Sequence, residues 1–346
     1  MKKTARIIAA LLCIMMAVSL CGCEETPVQK QVFAMDTIMT LTAYGKHAEA
    51  GLDSAEGVIA SMDSMLDPEY EGSYTYLINH TENENAIVPP QVADMLSKAL
   101  EVYKRSGGAL DLSVYPIYEA WGGFDPEKGR IPSSEELSEL MKMLNFGDTS
   151  VTAFTGEANY SVYVPANTQI SFGAVAKGCA SEYAIDAMRK AGVESGLVSL
   201  GGNVQTLGLK PDGTNWTVAV ENPRNPGSYV GTVSVGETAV VTSGNYQRYF
   251  KADGQIYHHI IDPDTGMPAD NNLLSVTVVC DDGTLADCLS TAMYVLGEKA
   301  AMNYWREYGD FDMIMVTSDG RVVCTSGLIE IFTLTDTDSY EVSFVE

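Results

Sequence analysis

The chain has 346 residues, 46% of them hydrophobic and 19% charged, which excludes a disordered segment and permits a sizeable core. Its 21 basic residues face 46 acidic ones, a formal charge of −25. That balance argues against nucleic-acid binding, which needs a basic face to displace counterions. It leaves room for an anionic nucleotide, because a divalent metal and helix N-termini can supply positive field locally.

The chain opens with Lys2, Lys3 and Arg6, then an apolar run from Ile7 to Leu20, short for a spanning helix, that ends in Leu20-Cys21-Gly22-Cys23. This resembles a bacterial lipoprotein signal. Residues 1–22 would be removed, Cys23 would carry lipid, and residues 23–30 would be a polar tether, leaving 31–346 as one domain. The expected location is the cell membrane, lipid-anchored on its extracytoplasmic side. An ordinary signal peptide or an uncleaved anchor is the alternative. Cleavage leaves Cys179, Cys280, Cys288 and Cys324, either as disulfides or as buried thiols.

Weak alternation predicts a strand over 34–44, and apolar spacing predicts a helix over 48–66. Pro89-Pro90 and Gly107-Gly108 bracket an amphipathic helix over 91–106, and Ser133-Ser134-Glu135-Glu136 caps another over 133–145. Short strands are expected at 161–164 and 169–172, then a helix over 176–191. Strand-like runs follow at 196–200, 217–220, 230–235, 239–242, 256–261 and 275–280. Helices are expected at 287–296 and 299–308, and strands at 311–317, 322–325 and 329–334. The mixture predicts an α+β fold with mixed, largely antiparallel sheets and packed helices.

Five segments carry chemistry. In Ser171-Phe172-Gly173-Ala174-Val175-Ala176-Lys177-Gly178, a strand enters a helix through glycines and one lysine, a place for a diphosphate or simply a tight turn. In Ala286-Asp287-Cys288-Leu289-Ser290-Thr291, helical spacing puts Asp287, Ser290 and Thr291 on one face. Three hard oxygens there suit magnesium, while an acidic helix cap is the plainer reading. His258-His259-Ile260-Ile261-Asp262-Pro263-Asp264-Thr265-Gly266 offers a histidine to hold phosphate or move a proton, or a plain hairpin. Thr242-Ser243-Gly244-Asn245-Tyr246-Gln247-Arg248 offers hydroxyls, an amide and an arginine around a turn. Ser106-Gly107-Gly108-Ala109-Leu110-Asp111, with Tyr115-Pro116 and Trp121-Gly122 beyond it, offers a carboxylate and a ring-binding wall, or a helix end followed by a strand.

In this order, together with Leu200-Gly201-Gly202-Asn203 and Met35-Asp36-Thr37, these motifs resemble the ApbE family of flavin transferases over nearly the whole mature chain. The resemblance implies a single catalytic domain that binds FAD as substrate and uses Mg2+. FMN would pass to a threonine hydroxyl of an acceptor protein, and AMP would leave. It implies FAD contacts at Met35, Ala109, Leu110, Asp111, Lys177 and the backbone near Ile261. It implies metal ligands at the Ala174 carbonyl, Asp287 and Thr291, with Ser290 as a further candidate, and catalytic roles for Asp287 and His259. The acceptor would be a membrane redox subunit with a surface threonine. Three features depart from the family pattern: Ser171 stands where an aspartate is common, Asp36 where a glycine is, and Leu66 where a tyrosine is, with an insertion near 68–73. Two rival functions keep the same segments: an FAD diphosphatase releasing FMN and AMP, and a flavin-binding lipoprotein without catalysis.

Overall fold

The computed structural model describes residues 26–81, 84–153 and 159–346; the apolar leader and Cys23 lie outside them. Strands β1 (Val28–Ala34) and β2 (Thr37–Ala43) form a hairpin, so the single strand expected over 34–44 is half of a pair. Val28 pairs with Ala43, and the sheet therefore begins inside the stretch read as a tether. The two-residue turn puts Met35 and Asp36 at φ 49° and 57°, the left-handed region that a tight hairpin demands and that Asp accepts more readily than Met.

Helix α1 (Ala48–Leu66) follows as expected, then the unforeseen short α2 (Tyr74–Asn79) and β3 (Asn85–Val88). Helix α3 (Pro90–Arg105) starts on a proline, buries Val92, Met95, Leu96, Ala99 and Leu100, and ends with Lys104 and Arg105 in its last turn, where cations suit the helix dipole. Helices α4 (Tyr115–Ala120) and α5 (Ser134–Met141) come next. The Ser133 hydroxyl caps α5 by accepting from the Glu136 N–H at 3.1 Å, and the helix stops four residues before the expected end. Strands β4 (Ser150–Ala153) and β5 (Tyr160–Tyr163) complete a small sheet with β3.

Residues 169–172 are not a strand. The Asn79 amide donates to the Ile170 carbonyl (2.9 Å) and accepts from its N–H (2.8 Å), doing through a side chain what a neighbouring strand would do. Helix α6 (Ala176–Lys190) leads to β6 (Gly196–Leu200) and β7 (Asn203–Leu207), a hairpin whose second strand the alternation did not reveal. Then come β8 (Trp216–Glu221), β9 (Tyr229–Val235), β10 (Ala239–Gly244), β11 (Tyr249–Ala252) and β12 (Gln255–His258), the last ending three residues earlier than expected. After β13 (Leu273–Cys280), α7 (Gly283–Tyr308) breaks at Gly297 (φ 72°, ψ 167°), so two helices were rightly anticipated. Strands β14 (Asp312–Thr317), β15 (Arg321–Thr325), β16 (Phe332–Leu334) and β17 (Glu341–Val345) finish the chain.

The fold is α+β. Among the described residues, nine strands form one sheet in the order β1-β2-β6-β7-β10-β13-β14-β15-β17, antiparallel except for β15 with β17. Residues alternate between two cores across it. In β10, Ala239 and Val241 join the core under α1, α3, α6 and α7, whereas Val240 joins Trp216, Val218, Val230 and Val233 of the β8–β9–β16 sheet. A third cluster, Ile117, Trp121, Phe124, Phe250 and Ile261, sits beside the 258–266 segment. Cys179, Cys280, Cys288 and Cys324 are buried free thiols. Among the described residues, no helix is long and apolar enough to cross a membrane.

Candidate active site

Helices α6 and α7 begin side by side on the helical face of the large sheet. Their approach depends on glycine: a Cβ at Gly178 would drive into the Gly283 carbonyl oxygen and lie 2.7 Å from the Asp287 Cβ. This closeness lets the Asp287 carboxylate accept the Gly178 N–H at 2.8 Å. Asp287 does not cap its own helix, because Asp282 holds that position and accepts from the Leu285 N–H at 2.8 Å. It caps α6 instead, whose N-cap residue Val175 supplies no side-chain bond. Gly178 N–H is one of the first-turn donors that have no partner within their own helix, and Asp287 satisfies it; no bond among the described residues ends on the Ala174 carbonyl, which lies one residue before the N-cap.

Asp287 is 3% exposed and has no cationic partner among the described residues. One turn on, the Ser290 hydroxyl donates to the Asp287 carbonyl (3.0 Å), and Ser243 reaches both Ser290 (2.8 Å) and Thr291 (3.1 Å). The helical face read from the sequence is real, but Ser290 is fully buried and already bonded on two sides, which leaves Thr291 the more open oxygen. Ser243, in sequence one hydroxyl of a turn, carries no local signal that it belongs to the site. It lies 47 residues before Ser290 in sequence, and only strand placement brings the two together. Among the described residues, no group of three or more His, Cys, Asp or Glu side chains is placed to hold a metal ion. A hard metal on few protein oxygens fits that inventory, whereas zinc does not.

Half-buried Lys177 stands in the first turn of α6 with no ion-pair partner among the described residues. His259 lies close by. Its Nδ1 faces the Arg248 carbonyl at 3.2 Å, and a carbonyl can only accept, so the proton sits on Nδ1 and the Nε2 lone pair is free. His259 is half-buried, and desolvation first, then the Arg248 and Lys177 charges, lower its pKa, which keeps the ring neutral at physiological pH. His258 is structural. Its Nε2 donates to the Ala269 carbonyl (3.2 Å), its Nδ1 accepts from the Ile260 N–H (3.3 Å), and burial lowers its pKa to about 4.

The remaining expected contacts divide. Met35 lies at the strained hairpin turn, held by its N–H on the Asp63 carboxylate (2.8 Å), and Asp36 reaches Arg248 at 3.8 Å. Ala109 is half-buried, but the Leu110 side chain belongs to the core and its N–H donates to the Ser106 hydroxyl at 3.4 Å. The buried Asp111 carboxylate takes the Ser113 N–H (2.7 Å) and hydroxyl (2.5 Å) on one oxygen, and burial raises its pKa against those two bonds. Ile261 buries its side chain in the aromatic cluster. It faces Pro268 in an isolated antiparallel bridge flanked by the bonds of Asp262 to Met267 and Ala269 to Ile260, so its own N–H and carbonyl point away from that partner. The ring-binding wall is not at Trp121. That side chain is fully buried and donates its Nε1–H to the Gly266 carbonyl at 2.9 Å, bracing the turn after His259. In place of the family aspartate, the Ser171 hydroxyl accepts from the Gly173 N–H at 3.2 Å.

A family model described as "ApbE family" matches residues 35–315, which include every described site residue above. This chain belongs to the ApbE family. A Vibrio cholerae relative named FAD:protein FMN transferase is 30% identical over 87% of this chain and 92% of its own length. A Treponema pallidum protein of the same name is 28% identical over 93% and 94%. Among solved structures, the ApbE protein of Thermotoga maritima superposes with a TM-score of 0.78 at 27% identity, covering 86% of this chain and 96% of that one. The apo form of the Pseudomonas stutzeri flavinyl transferase ApbE gives 0.74 at 26% identity, covering 91% and 96%. Within this α+β domain, the 171–178, 242–249 and 286–292 motifs, distant in sequence, meet at the paired starts of α6 and α7.

Proposed function

We propose that this chain is a Mg2+-dependent FAD:protein FMN transferase. The observation that carries the proposal is the Asp287 carboxylate: 3% exposed, tied to one backbone N–H and lacking a cation among the described residues. Removing a carboxylate from water without a countercharge costs several kcal/mol, and a bound cation offsets that cost. Asp287, Thr291 and the unpaired Ala174 carbonyl supply hard oxygens, few enough to leave room for waters and substrate phosphate, which is what Mg2+ favours. When bound, the ion would neutralise charge on the diphosphate as the bond to AMP breaks.

The chain's own residues do the rest. Lys177 and the N-terminus of α6 receive the FAD diphosphate. The acceptor threonine oxygen attacks the phosphorus on the FMN side, the P–O bond to the AMP phosphate breaks, and AMP leaves with the bridging oxygen. His259 Nε2 takes the threonine proton. Desolvation and then the Arg248 and Lys177 charges hold its basicity down, and a bound anionic diphosphate would offset those two charges, raising the basicity of the ring by that part. The acceptor in this reading is a membrane redox subunit. The protein works from the extracytoplasmic face on a lipidated Cys23, and Cys23→Ser should abolish lipid labelling.

The test is incubation with FAD, Mg2+ and a co-expressed redox subunit, followed by mass spectrometry of the protein and analysis of the nucleotides. An FMN-sized gain on a threonine with one AMP released per acceptor supports the transferase. Free FMN and AMP with an unmodified acceptor mean a diphosphatase, and intact FAD means a carrier.

A further inference from the structure

We propose that Ser243 is a positioning residue for the metal site: it orients the Thr291 hydroxyl so that its lone pairs face the ion. The inference rests on reading Asp287 and Thr291 as metal ligands. Ser243 lies on β10, the middle strand of the nine-stranded sheet. Strand alternation sends its neighbour Thr242 to the opposite face, where its hydroxyl meets that of Thr277 at 2.8 Å, and turns Ser243 toward α7.

The direction of each proton follows from the acceptors. The Ser290 hydroxyl donates to the Asp287 carbonyl (3.0 Å), because a carbonyl has no proton to give. Its single proton is then used, so the 2.8 Å bond between Ser243 and Ser290 carries the Ser243 proton. With that proton also used, the 3.1 Å bond between Ser243 and Thr291 carries the Thr291 proton. The relay runs Thr291 to Ser243 to Ser290 to the Asp287 carbonyl. It draws the Thr291 proton toward the sheet and leaves the oxygen lone pairs free for a cation. Without Ser243, the Thr291 hydroxyl turns freely and can present its proton where the ion would sit. Groups that orient a metal ligand in this way typically change metal affinity by about 10- to 100-fold when removed.

The experiment titrates Mn2+ into wild type, Ser243→Ala, Ser243→Thr and Thr291→Val, with and without FAD, and reads free Mn2+ by electron paramagnetic resonance. Ser243→Ala should weaken Mn2+ binding about tenfold with an unchanged melting temperature, and Ser243→Thr should restore it. FMN transfer by Ser243→Ala should need more Mg2+ but recover at saturating metal. In the Ser243→Ala/Thr291→Val double variant, the Ser243 change should cost nothing further. Ser243→Cys keeps the volume with a weak donor and carries the comparison if the alanine variant does not fold. Wild-type Mn2+ affinity in Ser243→Ala, or full additivity in the double variant, overturns this inference alone. A wild type that takes up no Mn2+ overturns the metal reading and this inference with it.

Discussion

Asp287→Asn separates a metal ligand from a helix cap, because the two roles differ in what an amide can do. The Asn oxygen can still accept the Gly178 N–H, now at 2.8 Å, so the N-terminus of α6 stays capped and the approach of α6 to α7 is kept. Without metal, the variant should melt at or above the wild-type temperature, since it removes a buried carboxylate with no cation beside it. Magnesium at about a hundredfold over its dissociation constant should stabilise the wild type by about 2.7 kcal/mol. For a chain of this size that is a rise in melting temperature of roughly 5 °C, and Asp287→Asn should lose most of it. Transfer of FMN should fall about 10²- to 10³-fold, the cost usual for losing one group aimed at charge in a transition state, with partial recovery at high Mg2+. Calorimetry with and without Mg2+, and acceptor labelling by mass spectrometry, give the two readouts. Full transfer at ordinary Mg2+, or an undiminished Mg2+-dependent melting shift, would refute the assignment of Asp287 to the metal. A plain helix cap would instead lose about 1 kcal/mol or less, with no dependence on metal.

Gly178→Ala should lower stability by about 1–3 kcal/mol and weaken metal binding, because its methyl group meets the Gly283 carbonyl and forces α6 away from α7; denaturant unfolding and Mn2+ titration check both. His258 carries a folded-state pKa of about 4 against 6.5 when unfolded, so the folded protein binds fewer protons and its stability, intact above pH 6.5, falls as pH drops toward 4. The ceiling is about 3 kcal/mol, and His258→Gln should flatten that part of the pH–stability curve. Lys177→Ala should weaken FAD binding about tenfold or more in a fluorescence titration while the melting temperature holds, since the lysine makes no ion pair among the described residues.

Much of the site was legible because its decisive spacings are local. Asp287 and Thr291 are one helical turn apart, and periodicity alone put them on one face, where they are. Lys177 follows a glycine-bounded turn, and the turn and helix start are both there. Where the reading failed, a distant residue had taken over a local role. Residues 169–172 alternate like a strand, but the Asn79 amide occupies the Ile170 backbone from 91 residues away. Trp121 looked available to a flavin ring, but the Gly266 carbonyl, 145 residues on, claims its only polar atom and the aromatic cluster its faces.

Asp287 shows why such long-range exchanges concentrate at the site. The sequence leaves a choice between a cap and a ligand; the structure shows one carboxylate oxygen capping α6, and the proposed metal would take the other. One oxygen holds the Gly178 N–H, fixing α6 beside α7. The other is left for a cation in a place where bare charge is costly. Capping a neighbouring helix therefore fixes the Asp287 carboxylate at the start of α6, and in the proposed site Ser243 orients Thr291 from the central strand. This coupling explains the glycine at 178, where a Cβ would drive into the Gly283 carbonyl and force the two helix starts apart. It also makes an order of effects testable: widening the gap at Gly178 should damage the metal site before it unfolds the domain, because the core beneath α6 and α7 is held by many side chains and the site by one bond between two helix starts.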